Sequence, residues 1–344
     1  MQAIEQTESI QLPDVNDQKI DPLAQLEDEL SAALSVYWTT AARILQNSGV
    51  RLLDPPQGYF SLEKNFFSAL FLYSYHRTGI SRSRSIIYAA INQCLRGMVT
   101  GCDNLLDDEY KKTLETDLAQ QGVRFRSVVD IMVSDRVLFE ILLGAFKHNG
   151  LSYAKLLRAN AASLHALIRS GAQEASEEKG IYRVLTPQQV LASVHHFKTG
   201  LLFQCPWAIP RIIENCGKDE VNSILEALYK IGMGCQIMDD MVDLASDLQR
   251  QRHNYVASVI YHELESSHWN RLNSEKSALV GPSKADLLLR FPEACSLAQD
   301  AAYRFLSEGL SDLFEPDHQF FVEPAILFLT KRIGTDRFMP NTEI

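Results

Sequence analysis

The chain has 344 residues, of which 46% are hydrophobic and 22% charged, and carries a formal net charge of −10. That length supports a sizeable buried core, and the balance is that of a globular protein rather than a disordered one. The acidic excess excludes a general attraction to nucleic acid or to an anionic membrane, so neither is expected as a partner.

The six cysteines are scattered without a CxxC pair, which leaves no disulfide framework and no cysteine metal site. The N-terminal stretch is polar and acidic, unlike a signal peptide, and no run reaches the roughly 18 apolar residues of a membrane span. A soluble, cytoplasmic protein is the expectation.

Residues 1–22 read as a disordered or loosely docked arm. From Leu23 to about Asn47 the positions Leu26, Leu30, Ala33, Leu34 and Tyr37 recur at helical spacing, and Ser48-Gly49 closes the segment. Asp54-Pro55-Pro56-Gln57-Gly58 is a break. An aromatic-rich helix follows from Leu62 to His76, then a long one from Ser81 to about Lys112. Helical periodicity continues through Arg124–Lys147, ended by His148-Asn149-Gly150, and through Tyr153–Ser170. Thr186-Pro187-Gln188-Gln189 starts another helix, with proline at its first position, leading to Lys198-Thr199-Gly200 and Leu201–Ile209. A helix over Asn222–Asp247 comes next, residues 269–285 read as a surface loop, and two more helices precede a short tail, 336–344. Helices joined by short breaks, without alternating strands, predict an all-α bundle, taken as one domain over 23–335.

Two acidic clusters stand out, Asp103-Asn104-Leu105-Leu106-Asp107-Asp108-Glu109 and Asp239-Asp240-Met241-Val242-Asp243. Asp103 and Asp107 are spaced i, i+4, as are Asp239, Asp243 and Asp247, so each set shares one helical face. An acidic run on a helix is more often a solvated face. These two lie in apolar sequence instead: Met98-Val99 precedes the first, and Ile237-Met238 and Met241-Val242 surround the second. Buried carboxylates need cations. Lys198, Lys111, Lys112, Arg250 and Arg252 are suitably placed along the chain, and magnesium takes such oxygen ligands together with substrate phosphate. Lysine and arginine suit the phosphate itself.

With these residues in view, the chain resembles the trans-isoprenyl diphosphate synthase superfamily of class I isoprenoid synthases. Gly232 to Asp243, with Gln236, is similar to that family's second aspartate-rich motif. Lys198-Thr199-Gly200 matches its Lys-Thr dipeptide, and Asp103 to Asp108 its first aspartate-rich motif. All three occur in the family's order. The resemblance implies an all-α isoprenoid synthase bundle with a central active-site cavity and three magnesium ions. Asp103 and Asp107, with Asp108 adjoining, would hold two of the ions, and Asp239 with Asp243 or Gln236 the third. Lys198 and Arg252 would bind the substrate's diphosphate, with Lys112 and Arg96 as further candidates. Phe67, Phe197, Phe203, Met98, Val99 and Gln236 would line the cavity, with Phe66, Phe71, Trp207 and Tyr255 as further aromatic candidates. Met98 and Val99 stand where the family gates chain length, suggesting a chain of about fifteen to twenty carbons. The family tends to be dimeric, which implies a homodimer.

The sequence also departs from the family. Asn104 replaces the second aspartate of the first motif. The family's elongating members hold a second substrate, isopentenyl diphosphate, through a Gly-Lys-x-x-Arg motif, a histidine and an arginine pair. Here the first reads Glu63-Lys64-Asn65-Phe66-Phe67, Arg96 stands at the histidine, and Lys112-Thr113 replaces the arginines. Fewer cations for a dianionic co-substrate favour a single-substrate terpene cyclase acting on an allylic prenyl diphosphate, of fifteen carbons (plain or methylated) or of twenty. The alternative is a prenyltransferase condensing an allylic diphosphate with isopentenyl diphosphate. The Asn-Ser-Glu motif of ordinary cyclases is absent. A non-catalytic subunit ranks last, because both aspartate motifs are kept.

Overall fold

Helix α8, Lys218–Arg250, carries the second aspartate cluster and runs through the interior. Asp219 and Glu220 occupy its first turn, where negative charge suits the helix dipole, and Gln251 ends it in the left-handed conformation at φ 54°. Its apolar residues, from Ile224 through Leu228, Ile231 and Met238 to Met241, are buried around the circumference, as in a helix surrounded by others. Helix α11, Pro292–Leu313, packs along it. The approach is close at Gly234, where a Cβ would stand 2.6 Å from Leu306 Cγ and 3.0 Å from the Ala302 carbonyl oxygen.

The computed structural model describes residues 22–107, 110–147, 152–276 and 287–338. The other helices in chain order are α1 (Pro22–Leu45), α2 (Phe66–Arg77), α3 (Arg82–Asp107), α4 (Val123–Lys147), α5 (Tyr153–Ser176), α6 (Pro187–Gln189), α7 (Pro210–Ile213), α9 (Tyr255–His262), α10 (Ser266–Lys276) and α12 (Val322–Ile333). A π-helix, Val190–Gly200, follows α6 directly. Helix α3 packs on α1 and α4, while α8 packs on α11 and on the π-helix. Among the described residues there is no strand, only a single antiparallel bridge between Leu52 and Thr116. The predicted all-α fold is what forms. In α1 the predicted stripe of Leu26, Leu30, Ala33, Leu34 and Tyr37 is the buried one.

Helix α2 starts at Phe66 rather than Leu62, α8 extends beyond Asn222–Asp247 at both ends, and three further boundaries differ from the sequence reading. Helix α3 stops at Asp107 rather than near Lys112, because the Asn104 side chain captures the returning chain: Lys111 N–H donates to Asn104 Oδ1 at 2.7 Å, and Asn104 Nδ2 donates to the Lys111 carbonyl at 3.0 Å. Helix α5 continues past Ser170 to Ser176. The stretch predicted as a loop from residue 269 is helical as far as Lys276. Its sequence is polar except for Trp269 and Leu272, and the fully buried Leu272 anchors it. Residues 277–285 of that loop, residues 1–21 of the predicted arm, the break at 148–150, Asp108 and the end of the tail, 339–344, lie outside the described residues. Phe338, in the first part of the tail, is buried.

Candidate active site

The C-terminal turn of α3 and the C-terminal half of α8 face each other. Arg250 spans the gap, donating from Nη1 to Asp107 Oδ1 at 2.8 Å and from Nη2 to the Asp107 carbonyl at 2.9 Å. Arg252 Nη2 lies 2.9 Å from the same Asp107 Oδ1, and its Nη1 lies 3.7 Å from Glu174 Oε2 on α5. Glu174 Oε1 in turn is 3.1 Å from Lys198 Nζ. One chain of ion pairs therefore links α3, the end of α8, α5 and the π-helix. Of the predicted residues, Asp107, Lys198 and Arg252 belong to it directly. Asp103 lies one turn before Asp107, and Asp239 and Asp243 lie on α8.

The π-helix is what aims Lys198 into this cleft. Its start is fixed by a capping box in which Thr186 and Gln189 exchange side-chain bonds to backbone N–H groups. The wider spacing is visible where Leu201 N–H donates to the His196 carbonyl at 2.9 Å, five residues back. Side chains four apart then meet α8 in reverse order. His195 Nε2 is 2.9 Å from Asp240 Oδ2, and the Thr199 hydroxyl donates to Gln236 Oε1. Gly232 lets the two helices approach, since a Cβ there would meet Phe203 Cγ and the Thr199 carbonyl at 2.9 Å. From α5, Ser170 Oγ donates to the Lys198 carbonyl at 2.7 Å.

Asp240 is a structural hub rather than an open ligand. Besides His195 it accepts from Gln236 Nε2 at 3.0 Å and from the Tyr255 N–H at 2.5 Å. Burial works against its charge, yet His195 and Lys198 hold its carboxyl below the usual range. Asp239 differs. Water reaches it through the cleft, but the surrounding protein and then Asp243 push its carboxyl up to about 7. Burial, then Glu174 and Asp107, push Asp103 up to about 6. For Lys198 burial disfavours the charge, but Glu174 foremost, then Asp240, Asp247 and Asp239, outweigh it and raise the pKa.

These are crowded, mutually repelling carboxylates, and a divalent cation relieves such crowding. Among the described residues no three acidic, histidine or cysteine side chains converge on one point to hold an ion unaided. Magnesium is usually held by one or two carboxylates, with phosphate and water completing its shell, and the donor set fits that use. Asp103, Asp239 and Asp243 are the carboxylates suited to it. Asp107 is engaged by two arginines in this structure.

The two other predicted diphosphate contacts, Arg96 and Lys112, do not join Lys198 and Arg252. They line a separate cavity of about 150 Å³, together with Lys64, Tyr59, Asn65, Gln93 and Thr113. Lys64 Nζ donates to the Gln57 carbonyl at 2.6 Å and Arg96 Nη1 to Asn65 Oδ1 at 2.9 Å, both neutral acceptors. Lys112 is held by Glu115, 3.2 Å away. The sequence reading counted these cations as too few for a second anionic substrate. In space three of them share one pocket, two without a carboxylate partner among the described residues, and that correction bears on the reaction. Arg96 precedes Asp103 by seven residues on α3, about 10 Å along the helix.

Of the predicted cavity-lining side chains, Phe67 and Phe203 meet edge to face with centroids 5.2 Å apart, and Phe71 joins Phe203 at 5.9 Å. Met98 and Val99 are half-buried on α3. Phe197 lies apart from this group, 37% exposed, with its ring against His196. Gln236 is spent on Thr199, Asp239 and Asp240. Trp207 is core: fully buried, it donates Nε1 to Ser74 Oγ at 2.9 Å. Glu174 was missed by the sequence reading, which ended α5 at Ser170 where apolar periodicity fades. Its i+4 spacing from Ser170 was the available signal.

No protein-family profile matches the chain, and no curated protein sequence matches it. Solved structures do. A polyprenyl synthetase from Streptomyces coelicolor A3(2) superposes with a TM-score of 0.59 at 17% identity, covering 91% of this chain and 99% of that one. A decaprenyl diphosphate synthase from Rhodobacter capsulatus gives 0.61 at 14%, covering 91% and 98%. A geranylgeranyl pyrophosphate synthase from Corynebacterium glutamicum, complexed with isoprenyl diphosphate and magnesium, gives 0.54 at 12%, covering 91% and 100%. With two aspartate rows, a Lys-Thr π-helix and this backbone, the chain has the all-α fold of the trans-isoprenyl diphosphate synthases.

Proposed function

We propose that the protein is a magnesium-dependent prenyltransferase that joins an allylic diphosphate to a second, isopentenyl-type diphosphate and releases inorganic diphosphate. The observation that carries this reading is the division of the cations into two sites. Lys198 and Arg252 sit with the aspartates, while Lys64, Arg96 and Lys112 line a pocket next along α3. Two anion sites about two helical turns apart suit two diphosphate substrates whose carbon ends must meet between them. Cyclisation of a single substrate, the first expectation from the sequence, rests on few cations for the second site, but the three counted there line one pocket, as a second anion would require. The similar solved structures, named as polyprenyl and geranylgeranyl synthases, also favour condensation.

In this reading Lys198 and Arg252 grip the allylic diphosphate, Asp103, Asp239 and Asp243 would hold the magnesium, and Asp107 keeps its arginine partners. Bound magnesium would neutralise charge developing on the leaving diphosphate. Gln236 and Asp240 fix Asp239 and the π-helix, so that Lys198 meets the leaving group without reorganising. Lys64, Arg96 and Lys112 orient the second substrate. Phe67, Phe71 and Phe203 offer a dry wall for the isoprenoid chain and ring faces for a passing carbocation, with Met98 and Val99 bounding chain length. The reading includes a homodimer. Phe125 and Met132 on α4 are 60% and 61% exposed, and Leu164 and Ile168 on α5 are 56% and 58% exposed, apolar side chains of the kind that a second copy covers.

The test is incubation with magnesium and geranyl, farnesyl or geranylgeranyl diphosphate, with and without isopentenyl diphosphate. A longer diphosphate formed only with both substrates is the expected result. Diphosphate release and a hydrocarbon product from one substrate alone would overturn the reading in favour of cyclisation.

A further inference from the structure

Among the described residues, Glu174 is the one carboxylate that touches both cations assigned above to the allylic diphosphate. Its oxygens divide between them, Oε1 at 3.1 Å from Lys198 Nζ and Oε2 at 3.7 Å from Arg252 Nη1. It comes from α5, which carries neither aspartate cluster, and its side chain is only 16% exposed. One turn earlier on the same helix face Ser170 holds the Lys198 carbonyl, so α5 secures both the backbone and the ammonium of Lys198. Two cations this close would repel and splay without an anion between them.

Resting on the prenyltransferase reading, we infer that Glu174 is a positioning residue that stands in for the substrate's diphosphate, holding Lys198 and Arg252 together until the diphosphate displaces it. The exchange is favourable because a diphosphate offers several oxygens and more charge than one carboxylate to the same two cations. The cations are thus already placed when substrate arrives, and the carboxylate that held them is set free beside Asp103. No covalent bond changes in this step.

Inorganic pyrophosphate titrated calorimetrically into the metal-free protein tests it, comparing wild type, Glu174→Gln, Lys198→Gln and the double variant. Removing the competing carboxylate is expected to tighten pyrophosphate binding by about tenfold, roughly 1.4 kcal/mol. Most of that gain should vanish when Lys198 is also replaced, because the two residues act on each other. Unchanged or weaker binding by Glu174→Gln overturns the inference, as does a gain that persists in full without Lys198, which would mark only a general field effect. Should Glu174→Gln fail to fold, Glu174→Asp carries the test: its shortened reach should tighten binding by a smaller factor, and unchanged affinity overturns the inference. If wild type and Lys198→Gln bind pyrophosphate equally, the cleft reading falls as well. If wild type binds more tightly than Lys198→Gln but Glu174→Gln gains nothing, this inference falls alone.

Discussion

Asn104 and Lys111 form a two-bond clasp at the end of α3, the amide accepting from the Lys111 N–H at 2.7 Å and donating to its carbonyl at 3.0 Å. Only a neutral amide can do both, since an ionised carboxylate has no proton to donate. The residue that departs from the aspartate motif is therefore the one that turns the chain back toward the second pocket.

Replacing Asn104 with aspartate, which restores the common motif, should destabilise the protein. The site is buried, at 2% exposure, and the Lys111 carbonyl would lose its donor. A loss of about 1–3 kcal/mol is expected, read as a lower urea midpoint at an unchanged slope. A midpoint equal to or above wild type would refute the clasp.

On the prenyltransferase reading, Arg96→Gln and Lys198→Gln should separate the two substrates. Arg96 faces the pocket it shares with Lys64 and Lys112, whereas Lys198 faces the aspartates. Steady-state kinetics should show Arg96→Gln raising KM for isopentenyl diphosphate by about tenfold or more, with KM for the allylic substrate little changed. Lys198→Gln should do the reverse. Both variants raising the same KM would contradict the division into two sites.

On the proposed reading, in which both would be magnesium ligands, Asp103→Ala and Asp239→Ala should each lower kcat by about a hundredfold or more, since losing such a ligand forfeits several kcal/mol of charge stabilisation. Circular dichroism should match wild type, because both positions face the cleft rather than the core. A chelator should abolish wild-type turnover, and added magnesium should restore it. Full activity in either variant would remove that residue from the site.

Asp130 gives a pH signature away from the cleft. Burial pushes its carboxyl up to about 6, against the pull of Thr113 and Arg126. The folded state therefore binds this proton more tightly than the unfolded chain, so the contribution to stability is full below about pH 4 and is lost as the pH rises through 6. Asp130→Asn should remove that slope and be the more stable protein at pH 7, by up to about 3 kcal/mol. Denaturant melts from pH 4 to 7 that run parallel for the two proteins would exclude the effect.

Much of the fold was legible before any coordinates. The stripe from Leu26 to Tyr37 predicts α1 and its buried face, and the Thr186-Pro187 signal locates α6 and the π-helix behind it. Apolar neighbours around Asp239 correctly marked α8 as interior. The misses share one cause. The end of α3 and the helix α10 depend on individual side chains, Asn104 and Leu272, and the last turns of α5 carry the ion-paired Glu174 rather than an apolar stripe, none of which periodicity over a window registers.

Helix content, the i, i+4 carboxylate rows and the Lys-Thr dipeptide are local properties of the chain, since spacing along an α-helix alone decides which side chains share a face. What the tertiary structure alone decided is how the cations divide: Lys64, Arg96 and Lys112 to one pocket, Lys198 and Arg252 to Glu174 and Asp107 in another. Those partners lie far apart in sequence and come from different helices and loops. Packing of one element on another sets their distances, and the distances turn a count of charges into two separate sites.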